Sequence, residues 1–175
     1  MAPQPEQYER AAVTPVIREL SAASLDRGPT LRVEPLADPL VDELGYDARS
    51  GYVETFWLPV LGPSTVFLLR YLAARLESSP QGIEIDLEET ARSLGLGERL
   101  SANAPFARTL KRCIDFEMAQ WRRPGVFAVR VRLPPLARRH LRRLPGCLRS
   151  RDELAPVVSR LPVSVSQSRL ARLPD

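Results

Sequence analysis

The chain has 175 residues, of which 44% are hydrophobic and 26% are charged, and its formal net charge is +4. This arithmetic is typical of one soluble domain with some additional polar chain, and it excludes a large multidomain enzyme. Because 17 residues are proline, which favours turns and loops, we expect the compact core to be shorter than the chain.

The sequence does not predict a membrane span or a targeting peptide. Its longest uncharged run near the hydrophobic centre, residues 55–69, is interrupted by prolines and is shorter than the roughly 20 residues that a spanning helix needs. Residues 1–10 contain acidic side chains and precede no apolar segment, so we expect neither a secretory signal nor a transit peptide. Cys113 and Cys147 are too few and too far apart for a disulfide framework or a zinc site. We therefore expect a cytoplasmic protein.

Charge is distributed unevenly along the chain. Residues 1–100 hold 16 acidic and 9 basic side chains, whereas residues 101–175 hold 5 acidic and 16 basic ones. Between residues 101 and 144 only Asp115 and Glu117 oppose 11 basic side chains. Such a segment suits a polyanion such as DNA. A solvated basic face without a ligand is the alternative, because arginine-rich chains commonly form one.

Residues 1–50 are predicted to form an acidic, proline-rich N-terminal extension. Thr14 suits the N-cap of a short helix in this extension, and Pro15 suits its first position. The tethered acidic side chains would modulate DNA binding if they competed for the basic segment. Alternatively, the apolar residues of the extension dock on the body and complete its core. These apolar residues are Val16, Ile17, Leu20 and Leu36.

The clearest helical pattern begins at Pro63, a residue type that suits the first position of a helix. Apolar residues then recur at the spacing of a buried stripe, and we expect the helix to end near residues 78–80. The stripe comprises Val66, Phe67, Leu69, Leu72, Ala73 and Leu76.

A short strand and two further helices are predicted next. Residues 83–86 alternate between apolar and acidic side chains, which is typical of a strand. Asp86 and Glu89 form a capping box for a second helix, and Gly95 is a suitable C-terminal stop. Pro105 can begin a third helix. Its predicted buried side carries Phe106, Leu110, Cys113 and Ile114.

Alternating residues at 119–123 and 126–133 predict a β-hairpin. A two-residue loop of Pro124 and Gly125 suits the turn chemistry, but it would place Arg122 opposite Phe127.

A three-residue loop at 123–125, with Gly125 in the left-handed conformation, gives a different register. It places Trp121 on the same face as Phe127, and it places Arg122, Arg130 and Arg132 on the opposite face. We favour this register because a slip of one residue would invert the side chains of a whole strand.

The order helix, strand, helix, helix, strand, strand over about residues 63–133 resembles the winged helix-turn-helix family. The resemblance is carried by this order and by the sequences PFARTL at 105–110 and WRRPGVFAV at 121–129. It implies that the third helix enters the DNA major groove, that the hairpin is a wing beside the phosphates, and that strand 83–86 completes the sheet. We therefore expect an α+β fold, mainly α with a small antiparallel β-sheet.

The predicted domain organisation has three parts. Residues 1–50 are the extension, residues 51–144 are the winged-helix domain with a basic strap, and residues 145–175 are a C-terminal helix and tail. The C-terminal helix follows a capping-box pattern formed by Ser150 and Glu153. A single core is predicted from Phe67, Leu72, Leu76, Ile85, Leu94, Phe106, Leu110, Trp121 and Val129.

Nine side chains are candidates for DNA contacts: Asn103, Arg108, Thr109, Lys111, Arg112, Arg122, Arg123, Arg138 and Arg139. The basic residues of the third helix would reach guanine edges or phosphates. Those at the wing tip, at 122 and 123, would contact phosphates without identifying bases. Asn103 and Thr109 would form hydrogen bonds to DNA, although Asn103 equally suits a helix cap.

The basic strap, residues 134–144, carries Arg138, Arg139, Arg142 and Arg143. It would extend the DNA footprint, or it is a solvated segment packed by its leucines. His140 lies within it and is predicted to be a surface residue without a role, with its protonation disfavoured by the neighbouring arginines.

We expect no enzymatic activity, cofactor or metal, because the sequence has one histidine and lacks a glycine-rich phosphate loop. The predicted function is binding of duplex DNA by a transcriptional regulator or a nucleoid-associated factor. The alternative is a non-catalytic winged-helix module that binds protein in a multiprotein assembly. The oligomeric state is left open, with a homodimer as one option.

Overall fold

The structure is a computed structural model that describes residues 29–101 and 103–149. The helices predicted near residue 14 and after residue 150, and the tail predicted to follow the second of them, lie outside the described residues.

The described residues form an α+β fold. The strands are β1 (Thr30–Pro35), β2 (Tyr46–Asp47), β3 (Ile83–Asp86), β4 (Ala119–Arg123), β5 (Val126–Val129) and β6 (Arg132–Leu133). The α-helices are α1 (Pro39–Leu44), α2 (Leu58–Leu61), α3 (Pro63–Ser78), α4 (Leu87–Ser93), α5 (Pro105–Asp115), α6 (Arg138–Leu141) and α7 (Gly146–Arg149). A π-helical turn, Val53–Trp57, precedes α2.

The main sheet has the strand order β3-β1-β5-β4. Strand β1 pairs with β3 in the antiparallel sense and with β5 in the parallel sense. The prediction of an antiparallel sheet is therefore wrong, because the sheet is mixed. The sequence did not predict β1, because the strands that pair with it, β3 and β5, are distant in the chain. Strand β1 also lies in a proline-rich segment that was assigned to an extension.

Residues 29–50 are consequently part of the folded body. Leu31 and Val33 alternate with more exposed neighbours along β1 and are buried in the core. Leu36 is half-buried just after the strand. Of the two alternatives given for the extension, the structure shows docking on the body for residues 29–50.

Helix α3 confirms the predicted start at Pro63, and its end at Ser78 lies within the predicted range of residues 78–80. One residue of its predicted buried stripe is wrong: Phe67 is 57% exposed, whereas its neighbour Leu68 is buried. Adjacent apolar residues on a helix lie about 100° apart, so the pattern alone left the phase of the stripe ambiguous at this point.

The second predicted helix is α4, and its caps are those that the sequence indicates. The carboxylate of Asp86 accepts a hydrogen bond from the Glu89 amide at 2.7 Å. Gly95 follows the helix with a φ of 68°, and the Leu96 amide donates back to the Ala91 carbonyl. This pair of features is a Schellman termination, which glycine favours because it has no Cβ.

The hairpin combines both registers considered for it. Pro124 and Gly125 form a two-residue loop, with Arg123 paired to Val126 and a φ of 74° at Gly125. A bulge between Trp121 and Arg123 then restores the pairing of Trp121 with Phe127. The predicted three-residue loop is therefore wrong, whereas the predicted pairing is confirmed, because a bulge absorbs one residue without inverting the strand.

The core lies between the main sheet and helices α3 and α5. Most of the predicted core residues are buried there, including Leu110, which is 1% exposed. Leu94 and Trp121 are only half-buried against it. Cys113 is also buried, and burial raises the pKa of its thiol to about 12, so the thiol stays protonated at neutral pH.

Candidate nucleic-acid interface

Helix α5 has a polar side, because its apolar residues form a stripe along the opposite side. Phe106, Leu110 and Cys113 are buried, so Arg108 and Arg112 project from the opposite side, where both are exposed. Both arginines also line a cleft of about 480 Å³ between α5 and the start of α3.

Arg112 is held by the neighbouring helix α2. Its Nη2 donates to the Val60 carbonyl oxygen at 2.7 Å. Helix α2 ends at Gly62, whose φ of 78° turns the chain, so this carbonyl has no amide partner within the helix. The side chain of Arg112 thus caps α2, which a sequence pattern confined to α5 does not indicate.

Two other predicted residues of α5 also form contacts within the protein. Lys111 forms an ion pair with Asp115, one helical turn away, at 2.5 Å. Thr109 is buried, and its hydroxyl donates to the Pro105 carbonyl at 2.9 Å. The DNA contact of Thr109 stays a prediction: its side chain is 5% exposed and lines the cleft beside Arg108 and Arg112. Asn103 is exposed just before α5.

The hairpin arginines differ in how firmly they are held. Arg122, at the bulge, donates weakly to the Pro35 carbonyl at 3.4 Å and lies 4.0 Å from the Glu34 carboxylate. Arg123 is exposed, and its guanidinium forms no hydrogen bond or ion pair with the described part of the chain.

The two arginines after β5 stabilise the fold. Arg130 forms an ion pair with Asp38 at 2.7 Å, and its Nε donates to the Glu117 carbonyl. Burial alone would raise the pKa of Asp38, but the hydrogen bond and charge of Arg130, together with hydrogen bonds from the Val41 and Leu40 amides, outweigh it and hold that pKa below its usual value. Arg132 donates to the Gly45 carbonyl.

The basic strap lies beside the C-terminal end of α5. Arg139 forms an ion pair with Glu117 at 3.1 Å. The guanidinium carbons of Arg112 and Arg143 lie 5.1 and 5.0 Å from the centre of the Phe116 ring. Phe116 therefore joins the arginines of α5 to those of the strap. We call Arg108, Arg112 and Arg143 the basic stripe.

His140 is buried rather than exposed, which corrects its predicted surface position. It is 8% exposed and packs edge-on against the rings of Trp57 and Phe116. Its Nε2 accepts a hydrogen bond from Arg139 Nε at 3.0 Å. Burial, followed by the charges of Arg139 and Arg143, lowers the pKa of His140, so the ring is neutral at pH 7.

The structure therefore brings only part of the predicted site together. Arg108, Arg112 and Arg139 lie along α5 and the strap, and Arg138 is exposed on α6. Among the described residues, no hydrogen bond or ion pair joins the hairpin arginines at 122 and 123 to α5. Arg143 was absent from the nine predicted site residues, although its place in the strap was a signal for it. The bridging role of Phe116 depends on tertiary packing and had no sequence signal.

No family model, curated protein or solved structure matches this chain. In the described ranges, no helix is both long enough and apolar enough to cross a membrane. The same ranges contain no cluster of three or more side chains from His, Cys, Asp and Glu that could hold a metal ion.

Proposed function

We propose that the protein binds duplex DNA, as a transcriptional regulator or a nucleoid-associated factor, in the manner of a winged helix. In this proposal α5 is the recognition helix and the β4-β5 hairpin is the wing. The chain order of α3, β3, α4, α5, β4 and β5 supports the assignment, as does the pairing of the hairpin. Strand β1, inserted between β3 and β5, is an addition to that pattern.

The observation that carries the proposal is the shortage of carboxylates around the basic residues. Residues 103–149 hold 12 basic side chains and two acidic ones, Asp115 and Glu117, and each of these two already has a basic partner. Several exposed arginines have no carboxylate partner in the described residues. They are Arg108, Arg123, Arg138, Arg142 and Arg143. A polyanion would supply the missing negative charge.

The distribution of exposed apolar residues favours DNA over a protein partner at this surface. The large hydrophobic side chains that are exposed in the described residues are Leu40, Leu44 and Phe67, which belong to α1 and α3. Protein interfaces are usually enriched in apolar and aromatic residues at their centre. The α5, hairpin and strap surface instead offers arginines, whose planar guanidinium groups suit phosphate.

The contacts of each arginine suggest different roles in the proposed complex. Arg108 is the basic side chain of α5 that forms no ion pair or hydrogen bond within the described residues, so it is the one best placed to reach a base edge. Arg123, Arg138 and Arg143 would contact phosphates and fix the orientation of the protein. Arg112 would add charge while its guanidinium stays on Val60.

Fluorescence anisotropy with labelled duplexes tests this assignment in the full-length protein. We expect Arg108→Ala and Arg143→Ala each to weaken binding, and a loss larger on preferred than on random duplexes would identify a base contact, at about 1 to 3 kcal/mol. Arg75→Ala is the matched control, because Arg75 is exposed and belongs to α3 rather than to α5, the hairpin or the strap. It should leave the affinity nearly unchanged.

The contrary outcomes are equally specific. Equal losses for all three variants would mean that binding follows net charge rather than this surface. Absence of binding even at low salt would reject the DNA proposal and favour the protein-interaction alternative.

A further inference from the structure

The N-terminus of α3 leaves two backbone amides without an acceptor. The helix begins at Pro63, which has no N–H, and its N-cap is Gly62, which has no side chain to accept a hydrogen bond. The first hydrogen bond of the helix runs from the Val66 amide to the Gly62 carbonyl. Among the described residues, the amides of Ser64 and Thr65 therefore have no acceptor. Because the first turn carries no acidic side chain, the partial positive charge of this helix terminus is not compensated there.

Thr65 carries a buried hydroxyl that also lacks a partner. The residue is 2% exposed, and its hydroxyl forms no hydrogen bond with the part of the chain that the structure describes. It is nevertheless not one of the side-chain polar atoms that the described residues seal from solvent without a partner. Since Thr65 lines the cleft between α5 and the start of α3, its hydroxyl is accessible from that cleft. A ligand with a hydrogen-bond acceptor would satisfy it.

The opposite wall of the cleft supplies positive charge. Arg108 and Arg112 line it from successive turns of α5. The guanidinium of Arg108 forms no contact of its own within the described ranges, whereas Nη2 of Arg112 donates to the Val60 carbonyl. Asp115 also lines the cleft, but it lies about two turns beyond Arg108 along the helix, and its carboxylate is paired with Lys111. The wall that faces the start of α3 is therefore positively charged.

We propose that this cleft binds a terminal phosphate group, either of free phosphate or of a small phosphate monoester. The phosphate oxygens accept hydrogen bonds from the amides of Ser64 and Thr65 and from the Thr65 hydroxyl. The guanidinium of Arg108 pairs with the phosphate charge from the other wall. Backbone amides at a helix N-terminus and a facing arginine are together complementary to a doubly charged oxyanion.

The size and the remaining walls of the cleft favour the ester. Its volume of about 480 Å³ lies in the range of small-molecule sites and exceeds what a phosphate group alone fills. Leu61, Pro63 and Pro105 supply apolar wall for the rest of such a ligand. A phosphodiester of duplex DNA has a sugar on each side, which keeps it from a hydroxyl as recessed as that of Thr65.

Isothermal titration calorimetry of the full-length protein tests the site, with inorganic phosphate and phenyl phosphate as probes at constant ionic strength. We expect saturable binding of one phosphate group per chain. Phenyl phosphate should bind tighter by at least about fivefold, because its ring contacts the apolar wall. Equal affinities of the two probes would support the phosphate site and assign it to free phosphate.

The hydroxyl of Thr65 provides the sharpest variant. Thr65→Val should weaken phosphate binding by at least about fivefold, because it removes the hydroxyl and keeps the shape of the side chain. It should not lower the stability of the protein, since the hydroxyl has no partner to lose in the described residues. Thr90→Val is the matched control, because Thr90 is also a buried threonine but lies on α4 and does not line the cleft. It should leave phosphate binding unchanged.

Ser64→Asp tests the helix terminus in a variant that keeps its fold. A carboxylate in the first turn of α3 interacts favourably with the helix dipole, and its negative charge repels phosphate. Ser64 lines the cleft. We therefore expect thermal stability to be retained and phosphate affinity to fall by at least about 20-fold. Retained affinity would show that phosphate binds elsewhere.

Fluorescence anisotropy with a labelled duplex separates this site from the proposed DNA surface. The two share Arg108 and Arg112 of the basic stripe, so Thr65 is the residue that distinguishes them. Thr65→Val should leave the affinity for duplex DNA unchanged. A wild-type protein that binds phosphate but no duplex would reject the DNA proposal and support this one, because the phosphate titration does not depend on DNA.

Three results would overturn the inference. The first is the absence of saturable phosphate binding up to about 10 mM, a concentration above the Kd of a weak millimolar site. The second is an equal loss of phosphate binding in Thr65→Val and Thr90→Val. The third is a loss of duplex binding in Thr65→Val as large as its loss of phosphate binding, which would assign the cleft to the DNA backbone.

Discussion

Arginine side chains in this protein serve two different purposes. Arg112, Arg132 and Arg149 donate to backbone carbonyl oxygens at the ends of helices or in turns. Such carbonyls lack an amide partner, and a charged donor satisfies them more strongly than a neutral one. The arginine excess therefore stabilises the fold as well as supplying positive charge, and only the contacts of each side chain distinguish the two roles.

Arg112 provides a direct test of this distinction. Arg112→Ala should lower the free energy of unfolding by about 1 to 3 kcal/mol, because the Val60 carbonyl loses a charged hydrogen-bond donor. Arg108→Ala, one helical turn away, should change it by less than about 0.5 kcal/mol. Urea denaturation of both variants provides the measurement. Equal stabilities would show that Arg112 does not cap α2.

The environment of His140 predicts a pH dependence of stability. Its pKa is lowered in the folded state from the ordinary value of 6.5. As the pH falls below 6.5, the unfolded chain therefore takes up a proton that the folded protein does not, so stability decreases until the pH passes the folded pKa. Above pH 6.5 both states are neutral at this residue and stability is retained.

Thermal unfolding between pH 7.5 and 5 measures this effect. His140→Phe should flatten the profile, because it keeps a ring beside Trp57 and removes the titrating group. Since the chain has one histidine, proton NMR can follow its titration directly. A His140 pKa above 6.5 would contradict the account.

At the scale of single elements, α5 ends in a conformation that normally belongs to glycine. Glu117 has a φ of 60°, and the Met118 amide donates to the Cys113 carbonyl at 2.8 Å. This is the same termination as in α4, but with a side chain at the left-handed position, where a residue with a Cβ is strained.

Glu117→Gly should therefore be more stable than Glu117→Ala by about 1 kcal/mol. Both variants lose the ion pair with Arg139, so their difference isolates the backbone conformation from the charge. Denaturant unfolding of the pair measures it. An alanine variant as stable as the glycine variant would show that position 117 is not strained.

The elements that the sequence predicted are those with local signals. Helix α3 begins at a proline, α4 has a capping box and a C-terminal glycine, and the hairpin has its own turn residues. Strand β1 could not be predicted in the same way, because its stability comes from pairing with β3 and β5. Its paired residues lie 50 to 56 positions away in β3 and 94 positions away in β5. The burial of His140 likewise depends on Trp57, from a distant segment.

The sequence predicted the basic composition of the candidate site, but it did not predict how its side chains are arranged. The excess of arginine after residue 100 is evident in the sequence. Tertiary packing determines which of these arginines form contacts within the protein, because it brings carbonyls and carboxylates near them. Examples are Val60 for Arg112 and Asp38 for Arg130. The burial of Thr109 was not predicted, because its helical phase places it at the edge of the buried side.

At the scale of the whole molecule, β1 makes residues 29–50 indispensable to the fold. Deletion of residues 1–50 should abolish cooperative unfolding, because it removes the strand between β3 and β5 and exposes the edges of both. Deletion of residues 1–28 is the control, since it leaves β1 intact. Calorimetry should show a single cooperative transition for the control and none for the longer deletion. A cooperative transition in both would contradict the structural role of β1.

The salt dependence of DNA binding tests the central proposal most directly. We expect the full-length protein to bind duplex DNA at low salt, with the logarithm of its association constant falling linearly with the logarithm of salt concentration. Each phosphate contacted should contribute about −0.9 to the slope, and Arg143→Ala should make that slope less steep by roughly one such contribution. Absence of binding at about 50 mM salt, or binding without salt dependence, would contradict the proposal that this arginine surface receives DNA.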